Sequence, residues 1–255
     1  MSKARPFTEA HALATVDVGL IFDKKLSGST RESIASALKR HFKGELKQVR
    51  QKSAANKIII FRRKVDDDVA EEVHIHDGYV HAIFFEYRGW SITRDQMVNR
   101  LSPILKMAQD SSAVLKSAGL VFRDVFFTDN PSDFSASEIF ALESRWLPQF
   151  AFSAGNNWQG TFDWTDTTQP GLKIRSKLSV RASMESTHSS QHQAHVTEVV
   201  HQQEIFGNDP AENMVEWSDD RLKKKLDHSH NLNKQLLLNL LSVEMSRRIG
   251  LKETS

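Results

Sequence analysis

The sequence predicts an α+β protein of two similar units, each a mainly antiparallel sheet packed on one long helix. Three observations carry this. Leu172, Ile174, Leu178, Val180, Ala182 and Met184 alternate with Lys173, Arg175, Lys177, Ser179, Arg181 and Ser183. A period of two gives a strand one apolar face and one face for water or a partner. Met97, Val98, Leu101, Ile104, Leu105 and Ala108 recur at steps of three and four, as do Leu222, Leu226, His230, Leu237, Leu241 and Met245, which marks two amphipathic helices. Finally, the order strand, short helix, several strands, long helix occurs twice. Each long helix follows a Trp-Ser-x-x-Arg string, Trp90 to Arg94 and Trp217 to Arg221. The expected division is a flexible lead-in at 1–12, a first unit at 13–119 and a second at 120–255 ending in a long C-terminal helix.

In the first unit a strand from Thr15 to Phe22 precedes a short helix, Arg31 to Phe42, and strands near Leu46 to Lys52, Lys57 to Lys64 and Val80 to Tyr87. Asp66-Asp67-Asp68 reads as a turn joining two strands. Thr93 and Gln96 have capping-box spacing at the start of the long helix. Pro103 lacks an N–H and predicts a kink or break there, with helix resuming to about Ala118 and ending on Gly119. The second unit opens with a strand from Leu120 to Thr128 and a turn at Asp129 to Asp133. A short helix (Ala136 to Arg145) follows, then strands near Gln149 to Ser153, Gln159 to Trp164, Leu172 to Glu185 and His192 to Phe206. Ser218 caps the last helix, with Asp219 and Asp220 facing its positive end.

Composition narrows the function classes. The 255 residues include no cysteine, which removes disulfides, thiolate nucleophiles and Cys-based zinc sites and fits a reducing cytoplasm. No stretch approaches the roughly 20 apolar residues of a membrane span, and the N-terminus has no apolar core of a signal peptide. Net charge is only +2, yet Arg31 to Lys64 holds eleven basic residues against Glu32 and Glu45. Walker, dinucleotide-glycine, His-Glu-x-x-His and Gly-x-Ser-x-Gly patterns are all missing, so no cofactor is expected.

Three kinds of side chain offer chemistry. His74 and His76 share one face of a strand, as some metal sites require, and His81 is near in sequence; two polar residues on a solvated face is the plainer reading. Asp23 with Glu45-Leu46-Lys47 matches half of the metal-dependent nuclease pattern Asp…Glu-x-Lys. His188, His192, His195 and His201 read as surface residues of a hairpin, and His230 as a buried, hydrogen-bonded core histidine. The strongest hint is cationic: Arg40, Lys43, Lys47, Arg50, Arg62 and Arg63 in the basic block, and Lys173, Arg175, Lys177 and Arg181 along one strand face. Clustered cations suit an acidic protein surface or a phosphate backbone.

The chain resembles a sporadically distributed, functionally uncharacterised family of bacterial and archaeal proteins of about this length. The resemblance rests on the strand Val16 to Phe22, the strand and Trp-Ser turn from Phe84 to Arg94, the strand Arg123-Asp124-Val125-Phe126, and His230 with Leu237, Leu241 and Ser242. Asp124 and Phe126 stand where that family usually shows Tyr and Asn. The resemblance brings no established enzymatic activity to carry over, and patchy occurrence suits genes of mobile or defence islands. The expectation is a non-catalytic binding or adaptor subunit of a bacterial multi-protein system, of a defence or toxin-antitoxin kind, with a protein partner and no membrane. A nucleic-acid-binding protein using the same cations is the alternative. A metal-dependent hydrolase or nuclease comes third.

Overall fold

A computed structural model of the chain describes residues 4–9, 11–49, 58–111, 113–155, 157–167, 172–186, 193–206 and 217–251. Its strands are β1 (Ala4–Pro6), β2 (Leu13–Phe22), β3 (Lys47–Val49), β4 (Ile59–Val65), β5 (Asp68–Ile75), β6 (Tyr79–Phe84), β7 (Leu115–Thr128), β8 (Trp158–Asp166), β9 (Lys173–Ser186) and β10 (Gln193–Phe206). The helices are α1 (Gly28–His41), α2 (Trp90–Asp110), α3 (Ala136–Ile139), α4 (Asp219–Leu240) and α5 (Val243–Arg248). None of the helices is long and apolar enough to cross a membrane among the described residues.

The predicted α+β class and antiparallel pairing hold. All strands of the described residues belong to one sheet, nine of them in the order β3-β4-β5-β6-β2-β7-β10-β9-β8 and β1 off that path. β1 pairs with Phe126 to Thr128 of β7, beyond the point where β2 leaves it, so Ala4 of the expected lead-in is buried within the fold. The position between residues 119 and 120 falls inside β7, which pairs with β2 on one side and β10 on the other.

Two apolar clusters occupy the same side of the sheet. The first packs Val18, Leu20, Phe61, Val73 and Phe122 against α1 and α2; the second packs Phe126, Leu178, Val180 and Val199 against α3, α5 and the end of α4. α4 spans both, with Leu222 and Leu226 in the first and Leu236, Leu237 and Leu240 in the second. The opposite side, carrying Asp17, Gly19, His74, His81, Arg123 and Glu198, has no apolar cluster among the described residues.

Several local expectations change. α1 begins at Gly28, earlier than the expected Arg31, with Ser27 as its cap accepting from the Thr30 amide at 3.0 Å. α2 begins at Trp90, so Thr93 lies within the helix, fully buried. Pro103 does not break α2: every residue of the predicted apolar stripe is buried, and that packing outweighs the lost N–H. Gly119 sits inside β7 opposite Gly19, not at a helix end. The second short helix stops at Ile139, and Gln149–Phe152 is a 3-10 turn, not a strand. Asp66 and Asp67 both have positive φ, 48° and 69°, the backbone of a tight hairpin turn between β4 and β5.

Candidate functional site

The interior site forms where α4 crosses β7. Phe122 and Asp124 point from β7 toward the helices, because Phe122 pairs with Val16 and His201, and Asp124 pairs with Val199. Facing them are His230, Asn233, Lys234 and Leu237 of α4, with His11, Tyr87 and Ile249 closing the sides. The cavity between them is about 240 Å3.

Its lining is unusually polar for the space between a sheet and a helix. Asp124 is 4% exposed, and no hydrogen bond or ion pair reaches its carboxylate among the described residues. Burial therefore raises its pKa to about 7. Tyr87 is also raised, by burial first and then by the charge of Asp124. His11 stands edge-on to Tyr87 at 5.4 Å; its Nδ1 is buried without a partner among the described residues, and burial lowers its pKa against a backbone hydrogen bond to Leu13. His230 stacks on Trp90 at 4.2 Å, and burial takes its pKa down to about 4. Behind the cavity, His201 donates from Nδ1 to Asn233 Oδ1 at 2.9 Å while its Nε2 has no partner among the described residues. Gln203 and Ser229 add further buried polar atoms without described partners on the same β10–α4 seam. Buried polar atoms are normally satisfied, so a seam of orphans calls for water or a ligand.

The histidine expectations change accordingly. His195 and His201 are not surface residues: their parity turns them to the helix side, at 0% and 2% exposure. His230 is half-buried and lines the cavity, held by its stack on Trp90 rather than by a hydrogen bond. His188 and His192 lie outside the described residues.

The cations divide between faces. Lys47 pairs with Arg62 across β3 and β4, which puts both on the open side with Lys173, Arg175, Lys177 and Arg181. Arg63 has the other parity and reaches Glu71 at 3.2 Å; Arg40 and Lys43 are exposed at the end of α1. Arg50 lies outside the described residues. Arg62 is bonded to Glu72 at 2.7 Å, and Arg181 to Glu198 and Glu185. Lys173 lies over the Phe206 ring at 5.6 Å. Arg175 and Lys177 are exposed and carry no ion pair among the described residues. Of the nuclease-like set, Glu45 is engaged by Arg100 at 2.9 Å.

His74 and His76 do gain a third imidazole. His81 of β6 pairs directly with His74 of β5, and one nitrogen from each of the three lies within 4.8 Å of the others. This is the one such group of three metal-binding side chains among the described residues. Glu72 supports it, bonded to His74 Nε2 at 2.7 Å. Burial opposes its ionisation, but the bonds from His74 and Arg62 prevail and hold it below the usual carboxylate range.

Sequence reasoning passed over Asp124, Tyr87, His11 and Asn233 as site residues. The available signal was Asp124, a carboxylate within an otherwise apolar strand between Phe122 and Phe126.

No protein-family model matches the sequence, and no curated protein does. Among solved structures, the di-domain ARO/CYC StfQ from the steffimycin biosynthetic pathway aligns over 88% of this chain and 95% of its own at 9% identity, with a TM-score of 0.18. A likeness that slight informs neither fold nor function.

Proposed function

We propose that this chain is a non-catalytic binding protein that holds one small organic molecule between β7 and α4. The molecule presents a hydrogen-bond donor, an amine or a hydroxyl, to Asp124, and an apolar body to Phe122, Leu237 and Ile249. The observation that carries this reading is the Asp124 carboxylate, buried, without a partner among the described residues and facing a cavity. An unpaired carboxylate is costly inside a protein, and a donor in the cavity removes that cost. Pockets of this kind, apolar with a few convergent polar groups, are typical of small-molecule sites. The test is mass spectrometry of material released on denaturing the purified protein. A single small molecule should accompany wild type and be lost from Leu237→Trp, which fills the cavity. Equal recovery from both, or none from either, rejects the reading.

The sheet face that no helix covers among the described residues favours a second activity of the same protein, as an adaptor docking an acidic protein partner in the cytoplasm. Lys47, Lys173, Arg175 and Lys177 stand exposed there. Titrating salt against binding separates this from nucleic-acid contact, whose log–log slope is about −0.9 per duplex phosphate neutralised. The finer architecture, two units from one duplicated ancestor, is also our proposal. It is supported by the strand order, in which β2-β6-β5-β4 and β7-β10-β9-β8 run outward from the central β2–β7 pair in matching sequence order.

A further inference from the structure

We propose that His74, His76 and His81 bind one divalent transition-metal ion of the zinc class on the open face of the sheet, with Glu72 orienting His74 and a coordination position left for water or an anionic group. The site lies on the opposite side of the sheet from the Asp124 cavity and shares no residue with it.

The backbone register builds the site. His74 and His81 are direct cross-strand partners, and His76 lies two residues on, just past the end of β5, where its amide bonds the Tyr79 carbonyl at 2.9 Å and keeps the pairing going, so all three rings rise from one face of the β5–β6 hairpin. Gly19 of β2 pairs with His81 on the other side; a Cβ there would sit 3.3 Å from the His81 Cβ, so glycine leaves the ring its room. Tyr79 stacks on His76 at 4.0 Å and fixes its plane.

The nitrogens are prepared for a cation. Nε2 of His76 and Nε2 of His81 are buried without a hydrogen-bond partner among the described residues. Nε2 of His74 is committed to Glu72 at 2.7 Å, which makes it the protonated nitrogen and leaves the Nδ1 lone pair as the one that can bind a metal. A carboxylate behind a ligating histidine is the usual support of such sites. Imidazole suits zinc, copper, nickel and iron, and three protein ligands with one open position is the pattern of reactive rather than purely structural zinc sites. Zinc–nitrogen bonds of about 2.0–2.1 Å in tetrahedral geometry put nitrogens about 3.4 Å apart, so the present spread of up to 4.8 Å closes by modest side-chain rotation.

The test uses the full chain stripped with EDTA, titrated calorimetrically with Zn2+ and loaded with Co2+ for absorption spectroscopy. One Zn2+ per chain is expected, with the intense visible bands of four- or five-coordinate Co2+. His81→Ala and His76→Ala should each weaken Zn2+ at least about 100-fold, and Glu72→Gln about 10–100-fold. His41→Ala, an exposed histidine on α1, should leave affinity unchanged. Circular dichroism checks that each variant folds; should His81→Ala not fold, His76→Gln on the half-exposed strand end serves instead. Zn2+ affinity unmoved by these substitutions, a weak six-coordinate Co2+ spectrum, or no binding overturns the proposal.

Discussion

Asp124 shows how one buried group sets both a site and a liability. Its folded pKa of about 7 lies above the ordinary 3.8, so between those values the native state binds more protons than the unfolded chain. This contribution therefore favours the fold at low pH and is lost as pH rises from about 4 to about 7. Asp124→Asn keeps the shape and removes the charge. We expect it to raise stability at pH 8 by up to about 4 kcal/mol, taking about 1.4 kcal/mol for each factor of ten in proton affinity, and to change little at pH 4. Urea unfolding at the two pH values measures this, and an equal effect at both would show that the carboxylate is not desolvated as described. His201 and His230 act in the other direction. With folded pKa values of about 4 they must charge in acid, so their contribution is full above about 6.5 and falls away as pH drops toward 4. At this scale the sequence was least legible. An aspartate or histidine in a strand looks the same whether it faces water or a helix, and only the β7–β10 register decided that Asp124, His195 and His201 face inward. His74 and His76 were readable as a same-face pair because parity within one strand is local; adding His81 required the hairpin register.

Among the elements, α2 departs furthest from its expected form, and the reason is tertiary. Its apolar stripe was legible from spacing alone, and every member is buried. The break at Pro103 was a local inference that packing overrode, and the one Ser102 hydroxyl proton is shared between the Val98 carbonyl at 2.8 Å and the Asp219 carboxylate of α4 at 2.6 Å. The polar side of α2 holds what periodicity could not reveal. Arg100, buried, donates to Glu71 at 2.5 Å and to Glu45 at 2.9 Å, and lies over the Phe42 ring at 4.0 Å. Glu71 is 1% exposed and also receives Arg63, so part of the basic block serves to neutralise an interior carboxylate. Removing Arg100 leaves the buried Glu71 charge with Arg63 alone and takes away its shortest ion pair. Arg100→Leu should cost about 3–5 kcal/mol, and the double variant Arg100→Leu with Glu71→Leu should recover much of that loss. Denaturant melts of both report it; a double variant as unstable as the single would mean the cost lies in packing around Phe42 instead. On the open face of the sheet, Gly19→Ala forces its new methyl against His81 and should weaken Zn2+ binding about tenfold or more while the fold survives, which calorimetry with Zn2+ measures.

For the whole molecule, the repeated order of elements was visible in the sequence, but its consequence for folding was not. A boundary at residue 119 suggests two bodies, whereas the hydrogen bonds run unbroken through β7. Phe122 of that strand belongs to the first apolar cluster and Phe126 to the second. α4 repeats the arrangement, placing Leu222 and Leu226 in one cluster and Leu236, Leu237 and Leu240 in the other. Trp90 Nε1 and Arg94 both bond Asp227, which fastens the start of α2 to the middle of α4. The first cluster is thus completed by residues from the second half of the chain, while the second takes Ala4 and Ala12 from the first. The first half alone lacks the Leu120 and Phe122 strand beside Val16 and Val18, exposing one edge of β2 and one side of its core. We therefore expect a single cooperative thermal transition for the full chain, with calorimetric and van't Hoff enthalpies in agreement. The fragment 1–119 should show no sigmoidal unfolding in urea. Two resolved transitions, or a folded fragment, would mean that the halves are independent bodies and that the shared strand and helix are only neighbours.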